Sequence, residues 1–162
     1  MGEMRIGLGY DVHAFSEGRP LVLGGVAIDY PRGLAGHSDA DVLVHALMDA
    51  ILGAMRAGDI GKLFPDTDER FRGISSIELL GQVALRMAQD GYRLLDADTV
   101  LVCEEPKVAP VRDEMRQRVA TALGVSTGAI GIKATTTEGL GFEGRKEGIA
   151  AQAVVLIERI GG

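Results

Sequence analysis

Apolar residues crowd most densely between Gly36 and Gly61, in the run GHSDADVLVHALMDAILGAMRAGDIG. Val42, Leu43, Val44, Leu47, Met48, Ile51, Leu52 and Met55 cover far more than one stripe of a helix. A helix of that kind is buried from several sides, in a core or at a subunit contact. Ser38 followed by Asp41 predicts its start as a capping box, and Gly58, after Arg56 in the last turn, predicts its end. One polar row interrupts the apolar surface: Asp41, His45 and Asp49 are spaced four apart and stack on one face.

The flanking patterns alternate. Residues 4–13 predict a first strand, in which Gly7 and Gly9 permit bending or a close backbone approach. Residues 21–28 predict a second, with Gly24-Gly25 as a bulge. The run Pro31-Arg32-Gly33 predicts a turn, and residues 59–74 a loop dense in turn formers. Ser75 with Glu78 predicts another capping box, opening a helix that Gly91 ends. Strands are predicted at 92–103, 129–134 and from Ile149 to Ile160, with an amphipathic helix at 111–123 stopped by Gly124. The order predicts an α/β fold, an α+β sandwich: one domain over residues 1–162, a mixed sheet with helices packed on one face.

Composition and charge narrow the function. The chain has 162 residues, 46% hydrophobic and 25% charged, ordinary globular values. A net charge of −6 leaves no broad basic face, so nucleic acid is not an expected partner. A small phosphorylated ligand needs only a local cluster of cations, amides or metal. The single cysteine, Cys103, excludes an intrachain disulfide and suits a reducing compartment. No leader follows Met1, no apolar run approaches a membrane span, and Ile6 breaks the myristoylation pattern. A soluble cytoplasmic protein with no membrane partner is expected.

Four clusters carry candidate chemistry. Asp11 and His13, two apart on a strand, present an oxygen and a nitrogen to one point. Adding His45 gives two histidines and a carboxylate with an open position, a pattern that suits catalytic zinc and equally non-haem iron. His45 alone reads as well as a core histidine bonded to a carboxylate, and Asp41 or Asp49 is expected near it. His37 and Ser38, at a predicted helix start, can hold an anion, or Ser38 can simply cap. The acids Asp59, Asp66 and Asp68, with Ile60, Gly61 and Phe64 between them, can take sugar-like hydroxyls or form Asx turns. The run Lys133 to Glu138 offers Thr135, Thr136 and Thr137 to phosphate oxygens and Glu138 to a hard cation. Residues 139–144 spell GxGxxG, but no helix is expected there and too little chain follows for a dinucleotide crossover. Arg145 reads instead as an anion partner. Cys103 reads as a buried structural thiol, and Lys107 as either a solvated loop lysine or a phosphate contact.

Taken in order, DVHAF, LGG, GHSDADVLVHA, GDIGKLFPDTD, Glu105-Pro106-Lys107 and KATTTEGLGFEGRKEGIA resemble the 2-C-methyl-D-erythritol 2,4-cyclodiphosphate synthase family nearly end to end. The resemblance implies conversion of 4-diphosphocytidyl-2-C-methyl-D-erythritol 2-phosphate to the cyclic diphosphate and CMP, in the non-mevalonate route to isoprenoid precursors. It implies a homotrimer with its sheets facing the three-fold axis and active sites between subunits. Zinc would sit on Asp11, His13 and His45, and a second divalent cation, Mg²⁺ or Mn²⁺, near Glu138. Asp59 would hold the erythritol hydroxyls, and His37 and Thr136 would flank the diphosphate. The cytidine pocket would come from the neighbouring subunit, from residues 103–109 (Cys103, Pro106 and Lys107 among them) and from Ala134 to Thr136, and Phe142 would be a further substrate contact. Cys103, Glu104 and Glu105 depart from the small or neutral residues familiar in that stretch.

Such a reaction needs no enzyme nucleophile. The substrate's own phosphate attacks, so positioning and charge neutralisation are what the protein must supply, with Lys107, Lys133 and Arg145 gathered around the polyanion. The rivals are a metal-dependent nucleotide-diphosphate hydrolase, a trimeric module that binds such a ligand without turning it over, and, more distantly, a non-haem iron oxygenase.

Overall fold

The computed structural model describes residues 2–160, so Met1 of the opening Met-Gly lies outside it. Strand β1 (Met4–Ser16) sets the architecture by strict alternation. Its even positions Ile6, Leu8, Tyr10 and Val12 are exposed at 70%, 70%, 54% and 38%, while Gly7 and Gly9 are buried. The buried side meets helix α1 (Val42–Met55), of which only Gly53 and Asp49 are not buried. Contact is backbone to backbone: a Cβ at Gly7 would stand 1.9 Å from the Ala50 carbonyl oxygen, and one at Gly9 1.8 Å from that of Ala46. Two side-chain-free positions two apart let the helix settle directly on the strand.

Around this contact a five-stranded mixed sheet forms in the order β4-β1-β7-β5-β6. Strand β4 is Gly33–Leu34, β5 Tyr92–Val102, β6 Ile130–Thr135 and β7 Gly148–Arg159. Strands β1 and β7 pair antiparallel from Met4↔Glu158 to Ala14↔Gly148, β5 runs antiparallel to β7, and β5 with β6 is the parallel pair. Helix α4 (Arg112–Leu123) makes the crossover that a parallel pair requires. Helices α1, α3 (Ser76–Gln89) and α4 pack on one side, as the element order predicts, and bury one continuous apolar core.

Several local expectations change. Residues 21–28 are not one bulged strand but a hairpin, β2 (Leu21–Leu23) against β3 (Val26–Ile28). Gly24 and Gly25, at φ 58° and 76°, form its two-residue turn, a conformation open to glycine. Helix α1 is capped by Asp41, which accepts from the Val44 amide at 3.2 Å, not by Ser38, whose hydroxyl oxygen accepts from the Ala40 amide at 3.2 Å and stands 3.1 Å from His45 Nε2. It ends at Arg56, itself left-handed at φ 61°, before Gly58 is reached. Ser75 stands at the start of α3 but makes no side-chain cap; Asp39 reaches across and accepts from the Ser76 amide at 3.0 Å instead. The 59–74 loop contains a turn of helix, α2 (Ile60–Leu63), and the GxGxxG run contains another, α5 (Gly141–Gly144). One turn followed by the antiparallel β7 is no nucleotide-binding crossover.

Candidate active site

Asp11 and His13 lie on the α1 side of β1, and His45 stands opposite them one turn into α1. One ligand atom from each falls within 4.8 Å of the other two, the only such group of His, Cys, Asp and Glu among the described residues. His13 Nε2 is 2.9 Å from Asp11 Oδ2 and 3.2 Å from His45 Nδ1, and His45 Nδ1 is 3.2 Å from the same carboxylate oxygen.

The outer nitrogens fix what the inner ones offer. His13 Nδ1 is 2.7 Å from the Ala35 carbonyl, which only accepts, so Nδ1 donates and Nε2 is left to face His45 and Asp11. His45 Nε2 is 3.0 Å from Ser76 Oγ, whose own proton goes to Asp39 Oδ1. Ser76 Oγ therefore receives the Nε2 proton, and His45 Nδ1 presents a lone pair. Ser38 Oγ, at 3.1 Å, is a second contact of the same Nε2. Two imidazole lone pairs and a carboxylate aimed at one point need a positive charge between them. A divalent ion with nitrogen and oxygen ligands fits this donor set, with outer partners already holding each ring. Burial opposes charge on Asp11, but the hydrogen bonds and charges of His13 and His45 outweigh it and hold its carboxyl far below the usual range. Burial likewise disfavours the His13 imidazolium, yet the Asp11 carboxylate turns the balance and raises its pKa. Both shifts point the same way: the cluster favours positive charge between these groups.

Asp41 and Asp49 share the helix face with His45 but bond elsewhere. Asp41 is fully buried and accepts from the Gly24 and Gly25 amides at 3.0 and 2.7 Å, and Asp49 accepts from the Ile60 amide at 2.8 Å. They tie the hairpin and α2 to α1 rather than orient the imidazole.

The two histidines face a cavity of about 390 Å³ lined by His13, His37, Ser38, His45, Ile60, Gly61, Phe64 and Asp66 among others. His37 does not head a helix, because α1 begins at Val42; its Nε2 donates to the Asp68 carbonyl at 3.0 Å. The acids around it divide their work. Asp66 lines the cavity, Asp59 caps α2 by accepting from the Lys62 amide at 2.9 Å, and Asp68 is paired with Arg70. Asx-type turns thus account for Asp59 and Asp68.

A smaller cavity of about 180 Å³ collects Cys103, Pro106, Lys107, Ala134, Thr135 and Thr136. It shares no lining residue with the first. Cys103 is 5% exposed, and burial with the nearby Glu104 charge pushes its thiol up to about 11, which fits a structural cysteine. Glu104 lines it too, within the expected 103–109 stretch, whereas Arg112, whose Nε is buried without a partner, was missed in the sequence; its only signal was its place just past the Pro106-Lys107 loop.

Thr137, Glu138, Phe142 and Arg145 line neither cavity. Glu138 is exposed on a left-handed turn at φ 55°, and Thr137 is bonded within the same turn. Arg145 pairs with Glu147 at 3.1 Å and Lys133 with Asp98 at 2.5 Å, so two of the three cations expected around a polyanion are engaged by carboxylates of this chain.

Comparison with known proteins follows the same geometry. The model of the YgbB family matches residues 4–158. The chain is 55% identical to the 2-C-methyl-D-erythritol 2,4-cyclodiphosphate synthase of Pelotomaculum thermopropionicum, across 98% of either chain. It is 60% identical to that of Moorella thermoacetica, across 95% of this chain and 94% of the relative. Its fold is similar to the solved IspF–CDP complex of Plasmodium falciparum at a TM-score of 0.86, with 31% identity over 99% of each chain.

Proposed function

The chain belongs to the YgbB family, and from that premise we propose that it performs the reaction of its relatives, forming 2-C-methyl-D-erythritol 2,4-cyclodiphosphate and CMP from 4-diphosphocytidyl-2-C-methyl-D-erythritol 2-phosphate in isoprenoid biosynthesis. A 2-phosphate oxygen forms a bond to the β-phosphorus, the bond from that phosphorus to the CMP oxygen breaks, and no enzyme nucleophile takes part. The observation that carries this function is the convergence of Asp11, His13 and His45, with both histidines in the wall of the cavity that also holds His37 and Asp66.

Zinc at Asp11, His13 and His45 fits the two-imidazole, one-carboxylate donor set. A second cation, Mg²⁺ or Mn²⁺, at Glu138 fits a single exposed carboxylate, since such ions take one or two carboxylates and complete their shell with substrate phosphates. When bound, the two ions supply charge neutralisation and polarisation of phosphorus. The chain's own residues position the substrate. His37, with its outer nitrogen fixed on the Asp68 carbonyl, and Thr136 flank the diphosphate; Asp66 in the cavity wall accepts from the erythritol hydroxyls, as does Asp59 through Oδ2, its Oδ1 being held by the Lys62 amide. Of the three cations expected around the polyanion, Lys107, in the smaller cavity, is the one that no carboxylate engages among the described ion pairs.

The smaller cavity is the cytidine pocket of this proposal, offered to the next subunit of a homotrimer. Two separate half-sites on one chain support that arrangement. So does the uncovered sheet face, where Ile6, Leu8, Tyr10 and Val12 line up with Val154 of β7, which pairs with Leu8. An apolar face of that kind on a sheet is covered in the working protein. No helix of the described residues is long and apolar enough to cross a membrane, and a cytoplasmic place belongs to the same proposal.

Phosphorus NMR with the cytidyl diphosphate substrate, Mg²⁺ and ¹⁸O-water tests the function. A cyclic diphosphate and CMP without label are expected; linear labelled phosphates would show a hydrolase, and unchanged substrate a binding module.

A further inference from the structure

The turn that carries Glu138 is held from the side of the nucleotide cavity. Glu104 follows β5 directly after Cys103 and lines the smaller cavity. Its Oε1 accepts from the Thr137 amide at 3.1 Å and from the Gly139 amide at 3.2 Å. The Thr137 hydroxyl stands 3.4 Å from the same oxygen, but its one proton goes to the Leu140 carbonyl at 2.5 Å. Two backbone amides therefore hold the carboxylate, one on either side of Glu138. Glu138 and Gly139 have φ 55° and 78°, a conformation that disfavours a side chain at the first of them. Amides gathered around left-handed residues form a concave nest for an anion. Here a carboxylate of the chain already fills it, so these amides are not free for phosphate.

We propose that Glu104 is a positioning residue: it keeps Glu138 in its left-handed turn and so couples the nucleotide cavity to the second cation site. The proposal rests on the function and the Glu138 cation site proposed above. Glu104 acts through the turn and touches neither cation nor reacting phosphorus. A ligand seated against residues 103–109 leans on the segment that carries Glu104, and whatever steadies Glu104 steadies Glu138. Coupling of this kind is reciprocal, so a bound divalent cation tightens the nucleotide in turn.

The test uses the full, zinc-loaded chain with CDP, and Mn²⁺ as the probe, its affinity read from water-proton relaxation. Glu104→Ala empties the nest, and Glu104→Asp keeps the charge but falls a methylene short. Both are expected to bind Mn²⁺ about tenfold more weakly or worse, the usual cost of losing a partner that orients a ligand, with zinc content unchanged. Glu104→Gln keeps an oxygen acceptor and is expected to recover most of the loss. Amide exchange at Thr137 and Gly139 reads the turn directly and is expected to quicken in Ala and Asp but not in Gln. Glu138→Gln serves as the reference for cation loss. Mn²⁺ titrations of Glu104→Ala and Glu104→Asp that superimpose on wild type, while Glu138→Gln is impaired, overturn the positioning role. An unimpaired Glu138→Gln removes the cation from Glu138, and the proposal falls with the reading beneath it.

Discussion

His13 and His45 meet edge to face, ring centroids 5.2 Å apart, with Nε2 of one 3.2 Å from Nδ1 of the other. Nitrogens so placed, with Asp11 against both, compete for one positive charge. Removing one imidazole removes a ligand without touching the sheet face that the trimer of our proposal would bury. His45→Ala is therefore expected to lose bound zinc and turnover while its sedimentation stays that of wild type. Metal analysis beside ultracentrifugation checks this, and full turnover without zinc would remove His45 from the ligand set.

Ser76 is fully buried and passes its proton to Asp39 while receiving one from His45. Ser76→Ala leaves His45 Nε2 with Ser38 alone and frees the ring to choose the other tautomer. Zinc affinity measured by chelator competition is expected to fall by about 10- to 100-fold. Nitrogen NMR of the His45 ring in the zinc-free protein should show the Nε2–H form giving way to a mixture. Affinity and tautomer both unchanged would show that Ser38 suffices.

The alternation of β1 and the density of apolar residues in α1 made the sheet-on-helix core legible, because each periodicity is local and strong. Asp11-Val12-His13 and His45 were legible as one cluster for the same reason: a strand face and a helix face were both defined. What stayed hidden depends on contacts between distant segments. Ser38 fits a cap in sequence, but its hydroxyl oxygen is turned to the Ala40 amide and the His45 ring, and the cap passes to Asp41. Gly24-Gly25 reads as a bulge because β2 and β3 have only three residues each, too few to reveal that the chain reverses. Lys133 and Arg145 look like free cations until Asp98 and Glu147 are seen beside them. Glu104 looked like a departure from pattern and is instead the anion of the 137–139 turn.

Gly9 tests the closeness of β1 and α1. An alanine Cβ there would stand 1.8 Å from the Ala46 carbonyl oxygen and 2.8 Å from the Ala50 amide nitrogen. Both are backbone atoms of a buried helix, so the strand and the helix must separate and the core between them must open. Gly9→Ala is expected to cost about 3 kcal/mol or more in chemical denaturation. Gly128→Ala, where the nearest atom is Ser126 Oγ at 3.5 Å, is expected to stay within about 0.5 kcal/mol of wild type. Equal midpoints for Gly9→Ala and wild type would contradict the backbone contact.

Cys103 offers a pH-dependent readout. Burial first, then the Glu104 charge, raises its thiol from 9.0 to about 11, with Lys107 pulling weakly the other way. The folded state favours the neutral thiol. Its contribution to stability is therefore complete below pH 9 and is lost as pH climbs from 9 to about 11, where the unfolded chain ionises first. Only the thiolate reacts with an alkylating agent, and two pH units are about a hundredfold in thiolate. At pH 8 the native chain is expected to react with iodoacetamide about a hundredfold more slowly than the denatured chain. Its rate should still climb about tenfold per pH unit near pH 10, where the denatured chain has already levelled off. A native rate that levels off near pH 9 would mean an ordinary, solvated thiol and would take Cys103 out of the wall of the smaller cavity.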